Sequence, residues 1–158
     1  MRGMGLLRGI LTGVAAGAAG TTALNAVTYL DMVLRARPAS STPEESVKRL
    51  AERLDIEIPG DEQQRENRIQ GLGPMLGIAA GLGVGALVGV ARAAGIRSGA
   101  LPGTLLTTAV VLVASNGPMT VLKVTDPRTW SATDWISDVI PHLAYGVVTH
   151  AAAVVADR

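Results

Sequence analysis

Residues 72–91 read Leu72-Gly73-Pro74-Met75-Leu76-Gly77-Ile78-Ala79-Ala80-Gly81-Leu82-Gly83-Val84-Gly85-Ala86-Leu87-Val88-Gly89-Val90-Ala91, without one charged side chain. A helix rises about 1.5 Å per residue, so about 20 residues cross a hydrocarbon core roughly 30 Å thick. The stretch, extended to Ala94, meets that length. Three more nearly charge-free stretches follow the same rule, over residues 9–34, 101–121 and 135–155. Apart from Asp31, charge is confined to the first eight residues, to 35–68, and to short clusters at 92–97, 123–138 and 157–158. The pattern predicts an all-α fold: one polytopic membrane domain over residues 1–158, with four transmembrane helices and a polar helical loop over 35–71.

Composition agrees with spans in lipid. There is no Phe, and only two Trp and two Tyr, whereas Gly numbers 19. Small residues let helix backbones approach closely where lipid already satisfies the apolar surface. A net charge of +1 gives no field for nucleic acid, and the absence of Cys excludes disulfides, thiolate metal sites and a Cys nucleophile.

Within the first span, Arg2, Arg8, an apolar run and the small Ala16 and Ala18 also fit a secretory signal. The run continues to Leu34, longer than a signal core, so a retained span is the better reading. In the polar loop, Thr42-Pro43-Glu44-Glu45 reads as a helix start, with Thr42 as cap, Pro43 at the first helical position and Glu45 reaching back. Val47, Leu50, Ala51 and Leu54 then share one face of an amphipathic helix over residues 43–54. That face suits the membrane surface, the end of the bundle, or a partner. Pro59-Gly60 ends the unit, and a second polar helix begins near Asp61. Ser115-Asn116-Gly117-Pro118 reads as a helix-breaking end to the third span. Trp130 and Trp135 suit an interface.

Lys and Arg number nine on the loop side and five on the other. That count favours a cytoplasmic loop. The purely basic N-terminal tail argues the opposite way.

Two features stand out as candidate sites. The first is a glycine-zipper pattern: Gly73, Gly77, Gly81, Gly85 and Gly89 repeat every four residues, and Gly13 and Gly17 continue such a row on the first span. Each step of four advances about 40°, giving a slowly winding ridge. It packs either the first span against the second or one copy of the chain against another.

The second is a polar stripe on the fourth span. With Asp138 at zero, His142 falls at about +40°, Tyr145 at about −20° and Thr149 at about +20°. Ionisable groups in a span normally face the bundle interior or a wet cavity. His142 is therefore expected to face inward and to bond Asp138, Tyr145, Asn25 or Ser115. An acid, an imidazole and a phenol in one row could pass protons; the plainer reading is an interfacial Asp138 and a His142 bonded to a neighbouring helix. Asn25 is the costly polar group of the first span, because its amide needs several partners in lipid. Asp31 and Arg35 are spaced for an ion pair.

Other chemistry is scarce. His142 and His150 stand about 12 Å apart along one helix, too far to share a metal. No nucleophile elbow, phosphate loop or dinucleotide fingerprint occurs. The sequence therefore implies no catalytic residue, no cofactor and no metal. The expected partners are the lipid bilayer and either another membrane protein or the chain itself, not nucleic acid.

The segment Gly20-Thr21-Thr22-Ala23-Leu24-Asn25-Ala26-Val27-Thr28-Tyr29-Leu30-Asp31-Met32, followed by Arg37-Pro38-Ala39-Ser40-Ser41-Thr42-Pro43-Glu44, resembles small four-helix integral membrane proteins of actinobacteria. The likeness covers about the first 90 residues. It implies a multi-pass protein of the plasma membrane and carries no catalytic residue over, since that group has no settled activity. The leading expectation is a non-enzymatic protein acting through helix packing, as an accessory or assembly subunit or a homo-oligomer. The alternatives are a small transporter or proton-conducting bundle using the stripe, and a membrane-embedded lipid-modifying enzyme.

Overall fold

A computed structural model describes residues 2–157. All regular structure among them is helical: α1 (Arg2–Arg35), α2 (Thr42–Arg53), α3 (Glu62–Ala93), α4 (Ala100–Val121), a 3-10 turn (Pro127–Thr129) and α5 (Ala132–Ala156). The helices α1, α3, α4 and α5 are each long and apolar enough to cross a membrane. They form an up-down-up-down bundle in which α1 packs on α3 and α5, and α4 packs on α5 and α3. Large apolar side chains such as Leu11, Leu87, Leu105 and Val113 point outward all round it. Val84, Val111 and Tyr145 meet at the centre.

The polar segment differs in detail from its sequence reading. The cap position of α2 is Ser41, whose side chain makes no capping bond. Ser40 takes the role expected of Thr42: its Oγ accepts from the Thr42 amide at 3.2 Å. On the amphipathic face Val47 is buried and Leu50 half-buried, but Leu54 is 57% exposed. Leu54 has already left the helix as its C-cap, so the periodicity no longer governs its direction. The helix lies against the start of α3, where Gly73 would carry a Cβ only 3.1 Å from Pro43 and from the Glu44 amide.

The second polar helix and the second span are one element. A reciprocal capping box closes its start: the Gln64 amide donates to Asp61 Oδ1 at 2.8 Å, and the Asp61 amide to Gln64 Oε1 at 3.3 Å. At about 48 Å, α3 exceeds the hydrocarbon thickness, which leaves its polar first turns outside as the wall for α2.

The sequence Ser115-Asn116-Gly117-Pro118 does not break α4, which runs on to Val121. A proline loses the bond to the carbonyl four residues back and crowds that carbonyl, yet α3 and α5 likewise run through Pro74 and Pro141. The Ser115 hydroxyl lies within hydrogen-bond reach of the Val111 and Leu112 carbonyls, and that of Thr120 donates to the Asn116 carbonyl at 2.7 Å, supplying side-chain bonds in the same turn.

Candidate functional site

The α4–α5 hairpin is antiparallel, and its rungs are polar. Near one end, Gly103 leaves space that the His150 ring fills, and Gly146 leaves space for the Thr108 hydroxyl. Thr108 is satisfied on its own helix, donating to the Thr104 carbonyl at 2.9 Å. Thr and Ser can do this anywhere in a helix, so they can be buried here without a partner on another helix.

Toward the loop end the rungs become hydrogen bonds. His142 Nε2 lies 3.0 Å from Ser115 Oγ, and Asn116 donates to Asp138 Oδ2 at 2.8 Å. His142 Nδ1 donates to the Asp138 backbone carbonyl at 2.7 Å and stands 3.4 Å from the Asp138 carboxylate. The His142 and Asp138 side chains are 12% and 19% exposed. Because a carbonyl only accepts, Nδ1 carries a proton. The hydroxyl of Ser115 then has two arrangements. It donates to Nε2 when the imidazole is neutral, or it donates to the Val111 carbonyl and accepts from Nε2–H when the ring is charged. The carboxylate of Asp138 sits where it compensates the second state.

Tyr145 and Thr149 belong to a different group. Both are fully buried, and Tyr145 donates to the Gly81 carbonyl of α3 at 2.6 Å rather than to His142. Its ring lies against Gly20 of α1, as does the Thr149 hydroxyl. Here α1, α3 and α5 meet, and the missing side chains at Gly20 and Gly81 make the meeting possible. The single stripe expected from the wheel is thus two clusters on one helix face. Asn25 joins neither: it is half-buried and makes no side-chain hydrogen bond among the described residues. Asp31 pairs with Arg35 as its spacing implies, and Arg37 joins the pair at 2.6 Å.

The glycine ridge is an intramolecular seam. A methyl group on Gly85 would lie 2.6 Å from the Gly17 Cα, and one on Gly13 would lie 2.8 Å from the Gly89 Cα. Gly9 faces Gly89 in the same row. Gly77 departs from its expected role: it is exposed, with nothing within 4 Å of its Cβ position. The ridge winds about 40° per step, so a straight neighbour cannot follow all five glycines. Gly73 faces α2, Gly81–Gly89 face α1, and Gly77 falls in the gap.

Asn116 is the member that sequence reasoning overlooked, because it was read as part of a helix break. An antiparallel hairpin that sets Ser115 against His142 also sets Asn116 near Asp138, one turn earlier on α5. For metal binding, Asp138 and His142 offer two donors, and no third His, Asp or Glu joins them among the described residues. Compared with known protein families, curated proteins and solved structures, the chain matches none.

Proposed function

We propose that this protein is a non-enzymatic, multi-pass protein of the plasma membrane that acts through helix packing, as an accessory or assembly subunit or as a homo-oligomer. One observation carries this reading. Most of the polar groups on the α4–α5 seam and at its junction with α3 close on one another and on backbone: Ser115 on His142, Asn116 on Asp138, Tyr145 on Gly81. Interhelical bonds of this kind contribute roughly 0.6 kcal/mol each in a membrane, and their value lies in fixing register. The outer faces stay apolar, available to lipid or to other helices. The test is extraction in a mild detergent, with light scattering and cross-linking mass spectrometry on the purified species. The expected result is a stoichiometric companion or a defined oligomer. A lone monomer after cross-linking in native membranes contradicts the reading.

A second reading has its own support. The two hydrogen-bond arrangements around His142 and Ser115, with Asp138 beside them, form a unit able to take up and release a proton. It predicts that His142→Gln abolishes proton flux in reconstituted vesicles while the fold survives. Packing alone predicts no flux in the parent and no change in assembly in the variant.

A further inference from the structure

We propose that the end of the bundle where α3 stops and α4 begins holds a phosphate-bearing anion, supplied in the membrane by the headgroup of an anionic phospholipid. Four observations meet there. The first is charge. Twelve of the thirteen acidic residues lie in residues 31–138, toward the opposite end, and Asp157 alone lies here, beside Arg92 and Arg97. Basic residues at a membrane face attract anionic headgroups.

The second is the start of α4. Capping boxes led by Asp61 and Ser131 close α3 and α5. At α4 the cap residue is Gly99, with no side-chain cap and no acid in the first turn. The amides of Ala100 and Leu101 have no acceptor among the described residues, and Pro102 has no N–H to offer. A helix start with open amides and a positive dipole end favours an anion.

The third is His150, which points into that same turn. It is 5% exposed, its ring lies against Gly103, and its Nε2 is buried without a partner. Buried polar nitrogens are normally satisfied, so an unpartnered one packed against the first turn of α4 leaves a polar group without a partner at this end of the bundle. The fourth is Asp157, which already shows what the guanidinium groups accept. One carboxylate oxygen takes Arg92 Nε at 2.8 Å and Nη2 at 2.7 Å, with Arg97 at 3.9 Å. Arg97 is 68% exposed and faces outward, toward an incoming headgroup. An oxygen of a phosphodiester has the charge and donor needs of that carboxylate oxygen.

The experiment is native mass spectrometry of the purified full-length chain in a neutral detergent, with equal amounts of phosphatidylglycerol and phosphatidylcholine added. The expected result is about fivefold or greater retention of phosphatidylglycerol. Arg97→Gln, an exposed change that the fold tolerates, brings the ratio close to one. Asp157→Asn removes the internal competitor and raises it. Lys123→Gln, at the other end, leaves it unchanged. Millimolar inorganic phosphate is then added. Displacement of the lipid supports the site and shows that it also takes the free anion. Equal retention of both lipids with phosphate protecting the parent but not Arg97→Gln from thermal unfolding assigns the site to free phosphate. Equal retention with no phosphate effect overturns the proposal, as does a lipid preference that Arg97→Gln leaves intact.

Discussion

The α1–α3 seam and the α4–α5 seam both join antiparallel helices, by opposite means. Between α1 and α3 the contact is made by side chains that are absent: Gly9, Gly13 and Gly17 lie backbone to backbone against Gly81, Gly85 and Gly89. Between α4 and α5 it is made by side chains that are present and polar: Ser115 with His142, Asn116 with Asp138, and the His150 ring over Gly103. A glycine seam gains dispersion and close carbonyl contacts but carries no chemical label for register. A polar seam encodes register in its donor and acceptor pairs, and any mispairing leaves a polar group stranded in lipid. The chain therefore puts its tightest packing in one half and its specificity in the other.

The largest expected effect breaks the glycine seam. Gly85→Leu forces bulk against the Gly17 backbone, which cannot yield as a side-chain tip would. The cost exceeds the roughly 1–3 kcal/mol typical of overpacking, and α1 and α3 separate. Gly77→Leu, eight residues away on the same row but facing open space, changes stability by under about 0.5 kcal/mol. Reversible unfolding in detergent, followed by circular dichroism, compares the two. Similar losses for both would show that glycine is kept along α3 for a reason other than contact with α1.

An intermediate effect separates the two clusters on α5. Tyr145→Phe removes the bond to the Gly81 carbonyl but keeps the ring; since that carbonyl also accepts within its helix, the loss is about 0.5–1.5 kcal/mol. His142→Gln keeps a polar contact to Ser115 and costs less than about 1 kcal/mol. A double-mutant cycle should give additive losses, because the residues share no partner. Coupling beyond about 0.5 kcal/mol would rejoin them into one network.

These contrasts also mark what the sequence discloses. Four nearly charge-free stretches of membrane-crossing length specify four helices, and the face of Val47 and Leu50 specifies the short helix beside them. The inward direction of His142 follows from the cost of an imidazole in lipid. What stays hidden is which helix each inward group meets. Tyr145 reaches α3 rather than His142 because Gly20 and Gly81 clear a path, and that depends on how three helices are rotated together. Asn25 and Gly77 carry the same local signal as their neighbours and lack a partner for the same reason. Pro118 looks like an end because proline usually is one, yet α3, α4 and α5 each run through a proline, so proline alone does not mark where these helices stop.

The smallest expected effect tests whether the polar seam is tied off by the loop that follows α4, a closure the glycine seam does not share. In that loop Asp126 accepts from the Arg128 amide at 3.1 Å and from its guanidinium at 2.9 Å. Those bonds, the guanidinium first and the amide next, hold the Asp126 carboxyl below the usual carboxylate range. A depressed value in the folded loop means that ordering is fully favoured above the ordinary carboxylate pKa and is lost as pH falls through the depressed one. Asp126 is exposed, so the effect is local and weakens with salt. Both tryptophans report on it. Trp130 donates to Thr125 Oγ1 at 2.7 Å, and its ring meets Trp135, in the first turn of α5, edge-on at 5.0 Å between centroids. Acidification should therefore shift tryptophan emission, as the indoles separate, before the helical content changes. Asp126→Asn should fix the emission at its low-pH value throughout, because an amide cannot hold two donors from Arg128 as a carboxylate does. The glycine seam carries no titratable group on its contact face, so its unfolding should not move over the same pH range. An emission shift that survives Asp126→Asn would place the titrating group elsewhere in the same region, with Asp134, whose carboxyl is held low by its bonds from Ser131 beside Trp135, the next residue to replace.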